Sequence, residues 1–62
     1  MVADNLTTME FTIAMLVSKG WSYQGIARHL DVSVSYIKKL IAMTYEKLGV
    51  ASRRELKQYM LR

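Results

Sequence analysis

Apolar residues recur at helical spacing along almost the whole chain. Met9, Ile13, Leu16 and Val17 fall three or four positions apart and predict one face of a first helix over Thr8–Lys19. Thr7 and Glu10, at its start, have the T-x-x-E spacing of a capping box, in which each residue satisfies an early orphan amide of the other. Gly20 stands where a left-handed C-terminal cap is expected. Ser22 then predicts the cap of a short second helix, Tyr23–Leu30, that buries Ile26, Ala27 and Leu30. Gly25 within it costs about 1 kcal/mol relative to alanine, so that helix depends on packing. After the tight connection Asp31-Val32-Ser33, a third helix is predicted over Val34–Leu48, closed by Gly49. Ser52 and Glu55 repeat the capping-box spacing and open a fourth helix that reaches about Leu61. The expected fold class is therefore all-α, a four-helix domain over residues 6–62 behind a flexible lead-in at residues 1–5, with no repeat or linker.

Two helices joined by three residues, the second capped by serine, have the spacing of a helix-turn-helix. Successive residues of a helix are about 100° apart. On that geometry Ile37, Ile41, Thr44 and Leu48 share a narrow arc that faces the core, with Leu40 at its edge. Ser35, Lys39, Ala42 and Glu46 lie opposite, flanked by Lys38 and Met43. The outward face is thus small and polar at its N-terminal end and carries two adjacent lysines. Such a helix suits a major groove, because small residues let the backbone approach and lysine reaches guanine O6/N7 or a phosphate. Ser33 and Ser35 stand where a hydroxyl and a backbone N–H can meet a phosphate.

Composition narrows the partner. Sixty-two residues make one domain. A chain of this size buries only about 60% of its unfolded surface, which excludes a deep self-made active-site cleft as the default. No cysteine is present, so neither disulfide nor thiolate metal site holds the fold. The net charge is +4 and its distribution is uneven: residues 1–32 carry −1 and residues 33–62 carry +5. A basic second half fits either a solvated helical face or a surface for a polyanion. The longest apolar run, Phe11–Val17, is far shorter than the ~20 residues of a membrane span and has no basic segment before it. A cytoplasmic location is expected.

The ordered set Leu6-Thr7-Thr8-Met9-Glu10, Gly20-Trp21-Ser22, Ile26-Ala27, Leu30, Val32-Ser33, Ile37-Lys38, Lys47-Leu48-Gly49-Val50 and Ser52-Arg53 resembles the LuxR/GerE-type helix-turn-helix. That family reads approximately L-T-x-R-E, G-x-S-N, I-A-x-x-L, x-x-S, T-V-K, K-L-G-V and a Ser/Asn-Arg pair. The resemblance covers about residues 6–60. It implies a DNA-binding domain of a bacterial transcription regulator, double-stranded DNA as partner, no cofactor, and a homodimer on DNA. In the family the module usually follows a receiver (as in response regulators) or a ligand-sensing domain. Carried over by position, it implies DNA contact by Lys38, base reading near Lys39 and Ala42, and phosphate contact around Ser33, Ser35 and Tyr36. Met43 joins this set from the outward face, and the last helix, through Leu56, Tyr59 and Met60, inherits the dimer contact. Met9 and Thr12 replace a charged pair, which implies loss of a salt bridge within the first helix. Tyr23, Gly25, Tyr36, Leu40 and Thr44 also depart from the pattern and bear on the DNA sequence preferred.

Other features admit plainer readings. Lys38 and Lys39 fit surface charge as well as groove contact. Arg53, Arg54 and Lys57 fit field tuning, and Arg53 fits a pairing within the fold. His29 has no metal-ligating partner three or four positions away, and His29, Asp31 and Ser33 lack the pocket of a hydrolase. The chain is therefore not read as an enzyme. Phe11 and Met15 lie away from the Met9/Ile13 stripe and form either a wide buried arc or an exposed protein-binding patch. Two other functions stay open: a sigma-factor region-4-like promoter-binding domain, against which the Lys47–Val50 turn and the last helix argue, and a protein-interaction module that has lost DNA binding.

Overall fold

The computed structural model describes residues 6–61; the lead-in expected at residues 1–5 lies outside them. The architecture is α1 (Thr8–Ser18), α2 (Tyr23–Leu30), α3 (Val34–Leu48) and α4 (Arg53–Met60), with no strand among the described residues. Helix α1 packs against each of the other three, and α2 packs on α3. Ile13, Ala14, Val17, Ile26, Ala27, Ile37, Ile41 and Leu56 form the core. Helix α1 ends one residue before the expected Lys19, which serves as its C-cap, and α4 ends one residue before Leu61 for the same reason.

Every helix begins on a hydroxyl cap. Thr7, Ser22, Ser33 and Ser52 each accept a hydrogen bond from the backbone N–H three residues on. That satisfies one of the four donors each helix start leaves open. The box at Thr7 is closed, because the Glu10 carboxylate accepts in turn from the Thr7 amide at 2.9 Å. At Ser52 the expected box is altered: Glu55 reaches one residue further back, to the Ala51 amide at 2.8 Å.

Three helices end in the same six-to-one turn. The Trp21, Val32 and Val50 amides donate to Leu16, Ala27 and Tyr45 carbonyls respectively, five residues back. Such a turn needs a left-handed residue, and Gly20 (φ 95°) and Gly49 (φ 71°) supply it in two cases. In the third, Asp31 takes φ 60° without glycine's freedom. This sets the close connection between α2 and α3.

The buried face of α1 is rotated from the expected stripe. Glu10, Ile13, Ala14, Val17 and Ser18 are buried, while Met9 and Leu16 are only half-buried. Two polar residues therefore enter the interior, and both are satisfied. The Ser18 hydroxyl donates to the Met15 carbonyl at 2.7 Å. Thr44, buried on the core arc of α3, likewise donates to the Leu40 carbonyl at 2.8 Å.

Gly25 occupies the third helical position of α2, and a methyl group there would meet Ser22 Oγ at 3.1 Å. Glu10, Tyr36 and Glu55 carry side chains at the same position behind the same kind of cap, so the geometry accepts a Cβ. Gly25→Ala is expected to stabilise the domain by about 0.5 kcal/mol, the part of the glycine penalty left after crowding. That is a rise of roughly 2–4 °C in Tm for a domain of this size. A fall in Tm by thermal denaturation would show that Ser22 cannot yield.

Candidate nucleic-acid interface

The outward face of α3 follows from what its inward face buries. Ile37, Ile41 and Thr44 are buried, and Leu40 and Leu48 are half-buried, as the arc predicts. The opposite side is exposed at Ser35, Tyr36, Lys38, Lys39, Ala42, Met43 and Glu46. These include every residue of α3 singled out from the sequence for DNA contact. The core fixes the helix, and both lysines of this face, Lys38 and Lys39, are exposed.

Ser33 caps α3 by accepting the Tyr36 amide at 3.1 Å. Its hydroxyl hydrogen is not consumed by that bond, because a serine oxygen accepts and donates at once. Tyr36 is 39% exposed, so its ring stands out beside the cap rather than packing inward. The connection before Ser33 is held by Asp31 in the left-handed conformation and by the Val32 amide bonded back to Ala27. Helices α2 and α3 are thereby closely connected and pack on each other as a unit.

A second cluster ties this unit to α4. The Arg53 guanidinium lies 5.4 Å from the centre of the Tyr23 ring, within cation–π range. Burial raises the Tyr45 phenol above its ordinary pKa; Tyr23 nearby adds to the rise, and Arg53 opposes it. Arg53 thus pairs within the fold, one of the two readings its position allowed. The His29 ring packs edge-on against Trp21, with centroids 5.2 Å apart, so both side chains have a structural place.

The C-terminal end of α3 is anchored by an ion pair that sequence reasoning missed. Lys47 Nζ lies 2.8 Å from Glu10 Oε1 and 3.1 Å from Oε2. Glu10 is buried, and the Lys47 bond holds its carboxyl below the ordinary glutamate range, with the Thr7 amide assisting against the cost of burial. The pair spans 37 residues, and no local spacing announces it. Among the described residues, no ion pair within α1 involves Met9 or Thr12, and the carboxylate of α1 bonds to another helix instead.

Helix α4 corrects one expectation. Leu56, placed in the dimer contact, is 0% exposed and is the buried residue that seats α4 on the core. Met60 is half-buried and also packs against the core, while Tyr59 is half-buried beside a shallow depression lined with Val50, Glu55 and Gln58. Phe11 is 39% exposed but Met15 is half-buried, so the α1 patch is narrower than the two residues suggested.

Residues 4–60 match the family model GerE, described as bacterial regulatory proteins of the luxR family. The chain belongs to this family. Membership implies a DNA-binding transcription regulator, with the helix-turn-helix as its DNA-binding domain. Among curated relatives, the "HTH-type transcriptional regulator MalT" of Yersinia pestis (strain Pestoides F) is 43% identical over 53 residues, 86% of this chain. The protein of the same name from Klebsiella pneumoniae is 41% identical over 54 residues, 87% of this chain. The chain spans only 6% of the length of either relative. No solved structure matches it significantly. Among the described residues, no helix is long and apolar enough to cross a membrane.

Proposed function

We propose that this domain binds double-stranded DNA at specific sites by laying α3 in the major groove. The observation that carries this reading is the exposed α3 face bearing Ser35, Lys38, Lys39, Ala42 and Met43, held in place by the buried Ile37, Ile41 and Thr44. Ser33, Ser35 and Tyr36 at the start of α3 serve the adjacent phosphates, where the helix N-terminus favours anions. Lys38 and Lys39 supply charge at the same end. Two copies bind together on repeated half-sites, meeting through the outward side of α4 and the depression beside Tyr59. The domain acts as the reading head of a cytoplasmic bacterial regulator, with a receiver or sensor domain elsewhere in the same protein.

Titration with mixed-sequence duplex DNA at several salt concentrations tests the reading. Each phosphate neutralised by a lysine contributes about −0.9 to the slope of log affinity against log salt. Lys38→Ala and Lys39→Ala are each expected to weaken binding and to lower its salt dependence, by about that amount for a lysine that meets a phosphate and by less for one that meets a base. Unchanged affinity and slope in both variants would remove α3 from the groove. No binding to any duplex at low salt would favour a protein-interaction module, for which the exposed Phe11 ring is the available contact.

A further inference from the structure

Lys39, Ala42 and Met43 are three and four positions apart, so their side chains adjoin on the outward face of α3. All three residues are exposed, and Met43 is 38% exposed. Met43 belongs neither to the core nor to the apolar residues packed against it. A face meant only for phosphates would be polar and basic throughout. Here a cation borders directly on two apolar side chains. Glu46 lies on the same face one turn beyond Ala42, and its carboxylate is repelled by phosphates. In a groove, that carboxylate would oppose deeper insertion at its turn, with Ala42 and Met43 the side chains next before it.

The major groove offers a matching pair of surfaces. Guanine presents two acceptors, O6 and N7, which lysine complements, whereas thymine presents a 5-methyl group, which an apolar side chain complements. We propose that Ala42 and Met43 read the 5-methyl group of a thymine that neighbours a guanine contacted by Lys39. This rests on the groove-binding reading above. Ala42 lets the α3 backbone come close to the bases. Met43 supplies a flexible thioether that closes over the methyl from the side. Specificity in this half-site then comes from shape and methyl contact as much as from hydrogen bonds.

The test starts with the unaltered chain and a library of random duplexes, from which a bound sequence is enriched. Each thymine of that duplex is then replaced by deoxyuridine, which lacks only the 5-methyl group. One position is expected to lose about fourfold in affinity, the effect of withdrawing one buried methyl, with the salt slope unchanged. Met43→Gln is expected to shift the base selected at that position from thymine to adenine, whose N6 and N7 accommodate an amide. Because Met43 is exposed, this variant should melt as the parent does. If the duplex stays bound and every deoxyuridine is tolerated, the methyl reading is overturned while groove binding stands. If Met43→Gln leaves the selected base unchanged, Met43 is not the reader. If no duplex is enriched or bound at low salt, groove binding and this inference fall together.

Discussion

Lys47→Ala is expected to destabilise the domain by about 2–3 kcal/mol. Removing one partner of a fully buried ion pair costs about 3–5 kcal/mol, because the charge left behind is unpaired. Here the Glu10 side chain is buried, but the Lys47 side chain keeps 32% of its exposure, so water can partly replace the ammonium. A 62-residue domain has only about 3–9 kcal/mol of stability in total, so the loss is a large share of it. Urea denaturation at neutral pH measures the difference. A change below about 0.5 kcal/mol, the range of an ordinary surface substitution, would show that the pair contributes nothing beyond its geometry. Glu10→Gln combined with Lys47→Met should cost less than Lys47→Ala alone, since no buried charge is then stranded.

The same pair sets a pH dependence. Because Lys47 and the Thr7 amide lower the Glu10 pKa on folding, the stabilisation is present above the ordinary glutamate value of 4.5. It is lost as pH falls through that value toward the lowered one. In Lys47→Ala the largest cause of the lowering is gone. The stability of the two proteins is therefore expected to converge on acidification. A gap that stays constant from neutral to acid pH would place the effect of Lys47 outside its bond to Glu10.

Leu56→Ala is expected to cost about 2–5 kcal/mol, the range for deleting a buried leucine side chain in a core that cannot fully collapse. Leu56 is the buried residue of α4, an eight-residue helix. A helix that short does not persist without packing. Amide hydrogen exchange should therefore show α4 opening well before α2 and α3, which keep Ile26, Ala27, Ile37 and Ile41 between them. Exchange that accelerates equally in all four helices would mean that Leu56 supports the whole core rather than one element of it. A shift below about 1 kcal/mol in the urea midpoint analysis would contradict its place in the core altogether.

What the sequence revealed and what it hid divide along the range of the interactions involved. Caps act within four residues, so Thr7, Ser22, Ser33 and Ser52 marked the helix starts, and Gly20 and Gly49 marked two of the ends. Asp31 hid its left-handed turn, because an aspartate carries no such signal as glycine does, although the three-residue spacing still located the connection. Periodicity sorted α3 well, since its buried arc is apolar apart from Thr44. It misjudged α1, where Glu10 and Ser18 occupy the buried face and apolar Met9 and Leu16 stand at its edge. A hydrophobic pattern has no means of ranking a buried carboxylate whose partner lies 37 residues away. Leu56 was misplaced for a related reason: the last helix was legible, but which of its residues face inward depends on the seat that α1 provides.

The Glu10 carboxylate has one further consequence. Its Oε1 atom accepts from the Thr7 amide at 2.9 Å and from the Lys47 ammonium at 2.8 Å. The first turn of α1 and the last turn of α3 are therefore joined through one carboxylate, whose Oε2 atom also accepts from Lys47 at 3.1 Å. In mechanical terms this is a second load path: beside the apolar core, a chain of polar bonds connects the start of α1 to the far end of the helix proposed to read DNA.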